Sequence, residues 1–221
     1  MRELFDKITE GIKSEWIEYA DDGLDADLTT TVDTGSYAFN ALVSGSIYGG
    51  IPGNRIMAIA GDPSTGKTMF ALNFVKSFLD KNPDGFCVYF DTESAITTEM
   101  LTQRGIDTSR VIVIGIAMIE EFRHQAFKIL DNYMKIDDKN RKPMIMVLDS
   151  LGMLSTSKEI GDTSENKETK DMTRAQLIKS AFRVLTLKLG KAKVPMIVTN
   201  HVYAIVGSYV GGKVQGGEGI S

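Results

Sequence analysis

The sequence predicts an α/β fold, a largely parallel central sheet flanked by helices, with a small helical arm at its N-terminal side. Three observations predict it. From residue 55 onward, short apolar runs alternate with helix-length segments, as in a parallel sheet buried on both faces. Polar or glycine-rich residues follow four of those runs, just after positions 60, 91, 149 and 199. Ligands of open parallel sheets sit just there, beyond the carboxyl ends of the strands. Finally, 221 residues with 43% hydrophobic and 24% charged side chains suit one large globular domain with a small appendage.

Taken in order, Phe5, Ile8, Ile12, Trp16 and Tyr19 recur every three or four residues and predict one helix with an apolar stripe. The acidic link Asp21-Asp22-Gly23-Leu24-Asp25-Ala26-Asp27 separates it from the main body, so the arm and linker are assigned 1–27 and the core 28–221. The stripe must cover either its own core or a neighbouring subunit, and spacing does not choose between them. The runs 55–60, 86–91, 111–114, 144–149 and 195–199 read as strands, and 67–80, 97–104, 119–135 and 171–190 as helices. In the last helix Ala175, Ile178, Phe182, Leu185 and Leu189 share one face, while Lys179 and Arg183 point away. Segments 155–170 and 202–221 read as long loops at one end of the sheet, and long loops inside a compact domain usually serve function.

Charge is unevenly divided. Residues 1–33 hold 10 acids and 3 bases, which leaves 19 acids and 22 bases for the rest, so an acidic total hides a mildly basic core. Lys167, Lys170, Arg174, Lys179, Arg183, Lys188, Lys191 and Lys193 face only Glu168 and Asp171 between positions 167 and 193. Such a surface can hold a nucleic-acid backbone electrostatically, although basic helix faces are usually just solvated. One cysteine, Cys87 within an apolar run, excludes a disulfide framework and a cysteine metal site. No stretch reaches the roughly 18 uninterrupted apolar residues of a membrane span, and the first residues lack a signal-peptide core. A cytoplasmic protein with no membrane partner is expected.

Chemistry concentrates where the sheet rule places it. Gly61-Asp62-Pro63-Ser64-Thr65-Gly66-Lys67-Thr68 matches GxxxxGK[ST] between a predicted strand and a predicted helix. Its glycines let backbone N–H groups face phosphates, Lys67 reaches the β and γ phosphates, and the Thr68 hydroxyl can ligate Mg²⁺. The strand Met144-Ile145-Met146-Val147-Leu148-Asp149 ends in the carboxylate expected to hold Mg²⁺ beside such a loop, although many buried strands end in Asp as a cap. Glu93, just past the strand 86–90, could orient and deprotonate an attacking water. Asn200-His201 could report the γ phosphate, or cap a helix. The glycine-rich segment 202–221 offers close backbone approach and small apolar wedges between bases.

The ordered set resembles the RecA-type homologous recombinases, and in particular their UvsX branch in T-even-like bacteriophages. The resemblance is carried by VDTGS at 32–36, GGIPGNR at 49–55, GDPSTGKT, FDTES, VLDSLG, DMTRAQLIKSAFR, TNH and QGGEG. It implies a P-loop ATPase core with ATP and Mg²⁺ as cofactors, ATP held by Gly61 to Thr68 with Met69, and Met100 near the adenine. It also implies Glu93 as general base, Lys67 and Asp149 in the reaction, Thr68 and Asp149 at the metal, and His201 as γ-phosphate sensor. DNA contacts would come from a first loop at 155–170 with Lys158, Lys167 and Lys170, from Arg183, and from a second loop at 202–217. That second loop carries Tyr203, Val206, Gly207, Gly211, Gly212, Lys213, Gly216 and Gly217. The implied activity is ATP-dependent assembly of filaments on single-stranded DNA, pairing with double-stranded DNA and strand exchange, with DNA-dependent ATP hydrolysis timing release. Implied partners are further copies docked through the N-terminal helix, with Leu28 to Val32 adding a strand to the neighbour, and single-strand-binding and loader proteins. Family members continue past QGGEG, so the chain is expected to stop short of their full core. The alternatives are a helicase-type motor, a clock or signalling ATPase of this fold, or an assembly module without turnover.

Overall fold

The computed structural model describes residues 1–12, 17–28, 30–164, 173–204 and 213–215. Helix α1 (Arg2–Ile8) is followed by β1 (Thr31–Val32), α2 (Tyr37–Ser44) and β2 (Ile51–Pro52), and β1 pairs antiparallel with β2. At Gly50, φ is 152° and a Cβ would stand 2.0 Å from the Val32 carbonyl oxygen, so only glycine lets β2 lie against β1. The core then alternates: β3 (Ile56–Gly61), α3 (Lys67–Lys81), β4 (Phe86–Asp91), α4 (Thr98–Gln103), β5 (Val111–Gly115), α5 (Ile119–Met134) and β6 (Met144–Asp149). It continues with α6 (Ser157–Ser164), α7 (Arg174–Ala192), β7 (Met196–Ala204) and β8 (Lys213–Gln215).

Five strands pair in parallel in the order β3-β7-β6-β4-β5, and β8 joins the far end of β7 antiparallel. Every residue of β6 is buried because helices cover both faces. Met144, Met146 and Leu148 pack in the layer of α5 and α7, while Ile145 and Val147 pack in the layer of α3. Register fixes the working edge: Gly61 stands opposite His201, and Asp91 stands opposite both Asp149 and Gly115. The residues at these strand ends therefore form one row. No helix among the described residues is long and apolar enough to cross a membrane.

Three expectations are corrected. The single helix over Phe5 to Tyr19 stops at Ile8: the Thr9 hydroxyl bonds back to the Phe5 carbonyl at 2.9 Å, Gly11 turns with φ 78°, and Tyr19 returns to lie 6.2 Å from Phe5, ring to ring. Trp16 lies outside the described residues. The loop expected at 155–170 begins as α6, started by a reciprocal cap: Thr156 N–H donates to Glu159 Oε2 at 2.9 Å, and Glu159 N–H donates to Thr156 Oγ1 at 3.0 Å. The loop expected from 202 begins instead as the last three residues of β7, and these, Val202 to Ala204, pair with Gln215 to Lys213 of β8.

Candidate functional site

The phosphate-binding sequence leaves β3, turns through Ser64 (φ 62°) and Gly66 (φ 86°), and enters α3 at Lys67. Positive φ at both positions curls the backbone so that its N–H groups face the concavity. Lys67 is only 7% exposed, and its Nζ donates to the carbonyls of Gly61 (3.1 Å) and Asp62 (2.8 Å). These carbonyls hold the ammonium over the loop, where a phosphate oxygen offers a stronger acceptor. Thr65 Oγ1 donates to the Asp62 carbonyl at 2.8 Å and braces the turn, while Asp62, Pro63, Ser64, Thr65 and Met69 are exposed.

Asp149 ends β6 with a carboxylate that is 7% exposed and doubly held. Tyr89 donates to Oδ2 at 2.7 Å from β4, and Thr199 donates to Oδ1 from β7. Burial first, and then the Asp149 charge, push the Tyr89 phenol far above its ordinary range, so it stays a donor. Asp91 ends β4 and holds the next turn: Oδ1 accepts from the N–H groups of Glu93 (3.0 Å) and Ala95 (3.3 Å), and Oδ2 from that of Ile96 (3.0 Å). The turn delivers Glu93, whose Oε1 accepts from the Ser150 hydroxyl at 2.9 Å and contacts His201 Nε2 at 3.2 Å. Thr92 and Ser150 close the gap between β4 and β6, with Ser150 N–H donating to Thr92 Oγ1 at 2.7 Å and Thr92 Oγ1 donating to the Ser150 carbonyl at 3.0 Å. Glu93, Asp149, Lys67 and His201, taken from four places in the sequence, thus gather at one edge.

A hard divalent cation such as Mg²⁺ takes oxygen ligands and commonly needs only one or two carboxylates, with waters and substrate phosphates completing its shell. The Thr68 hydroxyl and the oriented Asp149 carboxylate fit that chemistry. Among the described residues no cluster of three or more His, Cys, Asp or Glu forms a protein-only metal cage.

Elsewhere the expected residues scatter. Met100 is half-buried on α4 in the α3 layer. Lys158 is exposed in the first turn of α6, and Arg183 is exposed midway along α7. Tyr203 and Lys213 contribute backbone to the β7–β8 pair. Lys167, Lys170, Val206, Gly207, Gly211, Gly212, Gly216 and Gly217 lie outside the described residues. Two of the basic residues on α7 do structural work: Arg174 donates to the carbonyls of Leu154 and Gly152, both at 3.0 Å, and Lys188 pairs with Asp131. The base of α6 is tied to the junction between β5 and α5, with Ser155 N–H on the Ala117 carbonyl at 2.9 Å and Ser157 Oγ on Oε1 of Glu120, in the first turn of α5, at 2.8 Å.

Sequence reasoning missed Asp91, Tyr89, Thr199, Ser150 and Thr92. Asp91 had a signal, since Asp readily accepts from the N–H two residues on. Tyr89 and Thr199 had none, because they meet Asp149 only through strand order.

Fold and sequence motif together define an α/β protein with the P-loop NTPase fold. The RecA N-terminal domain family model matches residues 17–219, and the chain belongs to that family. The chain is 32% identical over 201 residues to the "Recombination and repair protein" of Enterobacteria phage T4, covering 87% of this chain and 50% of that protein. It is 29% identical over 183 residues to "Protein RecA" of Malacoplasma penetrans, covering 80% and 52%, and 31% identical over 181 residues to that of Mycoplasmopsis pulmonis, covering 80% and 48%. The chain spans about half the length of the curated relatives it matches.

Proposed function

We propose that this chain is the ATP-hydrolysing core of a DNA recombinase that assembles on single-stranded DNA and pairs it with a homologous duplex. One observation carries the reading: Glu93 and His201 share a contact at the sheet edge where the phosphate loop and Asp149 also end. Lys67 binds the β and γ phosphates, and Thr68 and Asp149 hold Mg²⁺, which supplies charge neutralisation at the transferring phosphoryl group. Glu93 positions the attacking water and takes its proton. Ser150 and His201 both occupy Oε1 of that carboxylate, so a γ phosphate that draws His201 away frees one acceptor for the water. His201 lies on β7, and the same strand runs on into the pairing with β8 where the second DNA segment begins. Nucleotide and DNA are thereby coupled through one strand, and the coupling is reciprocal: DNA tightens ATP binding by the factor by which ATP tightens DNA binding. The names of the relatives favour a recombinase over a helicase motor, a clock or signalling ATPase, or a module without turnover.

The deciding experiment measures ATP hydrolysis with and without single-stranded DNA, alongside negative-stain imaging and a joint-molecule assay. DNA-stimulated hydrolysis, open filaments and joint molecules are expected. Closed rings that unwind duplex directionally, or hydrolysis indifferent to DNA, refute the proposal. Docking of the N-terminal arm on a neighbouring copy is part of the same reading, and removing residues 2–20 should yield monomers by light scattering.

A further inference from the structure

The buried Asp149 carboxylate is held by two hydroxyls, Tyr89 on Oδ2 at 2.7 Å and Thr199 on Oδ1. Among the described residues no lysine, arginine or histidine side chain pairs with it. Hydroxyls orient a carboxylate but bring no charge to it, and buried charges are as a rule paired or coordinate a metal.

Strand register explains why both hydroxyls reach it. Tyr89 on β4 and Ile197 on β7 flank Val147 of β6 from either side. Successive side chains alternate between the faces of a sheet, so Asp149, two residues past Val147, and Thr199, two past Ile197, share the face that α3 covers. Helix α3 begins at the phosphate loop. Tyr89 and Thr199 are both fully buried beside a layer of Leu72, Val75, Ile145, Val147 and Ile197. A hydroxyl in such surroundings costs free energy unless it is bonded, and phenylalanine and valine would fill the same space without that cost. A carboxylate has about four acceptor positions, and the two hydroxyls take one on each oxygen, which leaves both oxygens able to accept again.

We propose that Tyr89 and Thr199 are positioning residues that fix the Asp149 carboxylate for the divalent cation accompanying a nucleotide in the phosphate loop. This rests on the ATP-site reading above. The test is calorimetric titration of ATP into the wild type, Tyr89→Phe, Thr199→Val and Thr199→Ser, once with Mg²⁺ and once with EDTA, beside the melting temperature without ligand. The readout is the factor by which Mg²⁺ tightens ATP binding. Tyr89→Phe and Thr199→Val should each reduce that factor by about tenfold and leave the affinity in EDTA unchanged. Thr199→Ser, which keeps the hydroxyl, should recover most of the loss. An unchanged factor overturns the proposal for the residue concerned, and a lower melting temperature alongside it marks a purely structural role. Equal losses with Mg²⁺ and with EDTA overturn it as well. A wild type that binds ATP equally in both conditions overturns the metal role of Asp149 and the proposal with it, whereas one that binds ATP in neither overturns the phosphate-site reading itself.

Discussion

The carboxyl edge of the sheet and the N-terminal arm are both rich in charge, and they hold it in opposite ways. At the edge, Lys67, Asp91 and Asp149 are at most 7% exposed, and each is held by two or three hydrogen bonds. In the arm, α1 buries no residue, and Arg2 reaches Asp21 and Asp22 at 3.2 and 2.5 Å across open surface. Removing one member of a buried set strands its partners without water, at a cost of about 1–3 kcal/mol for each unsatisfied group. Removing one member of an exposed pair lets solvent take its place. Similar side chains therefore dictate geometry in one region and merely decorate the other.

That contrast breaks or sharpens under substitution. The largest effect is expected at Lys67→Ala, which should abolish ATP binding in a calorimetric titration; normal affinity would remove the phosphate-loop assignment. Glu93→Gln keeps an acceptor for Ser150 but not a base, so single-turnover hydrolysis should slow by about 10²-fold or more while ATP still binds. Unchanged turnover would show that proton removal lies elsewhere. Asp91→Ala leaves three N–H groups of one turn without their acceptor and should cost about 2–3 kcal/mol in urea unfolding. If stability holds, water reaches that turn and the edge is less closed than its burial indicates.

Smaller still is the acid response of Asp33, whose carboxyl is held below the usual range by the Asn40 side chain and then by the Gly35 N–H. Its contribution is fully present above the unfolded-state pKa of about 3.9 and is lost as pH falls through the lower folded value. Asp33→Asn should flatten that part of an acid titration of stability. At the far end, Arg2→Ala should leave the melting temperature of the isolated chain unchanged, and a clear drop would show that the arm is bound more tightly than its exposure suggests.

Legibility followed the range of the forces involved. The bounds of β6 and the start of α3 were readable because a buried parallel strand is a continuous apolar run and a phosphate loop has fixed spacing. The stripe from Phe5 to Tyr19 misled because periodicity records what a helix could bury, not whether a surface is there to receive it. Short helices are marginal without such a surface. Thr156 and Glu159 show the reverse error: the S/T-x-x-E cap was present in a segment judged only by its polarity.

Residues close in sequence thus announced the phosphate-loop motif, the two-faced sheet and the carboxylates of Glu93 and Asp149. Meetings across the chain required the fold. Asp149 finds Tyr89 60 residues earlier and Thr199 50 residues later because β4 and β7 flank β6. Glu93 reaches His201 across 108 residues for the same reason. Periodicity and spacing report local geometry, while strand order and register are settled by how helices cover both faces of a sheet, which no short window of sequence contains.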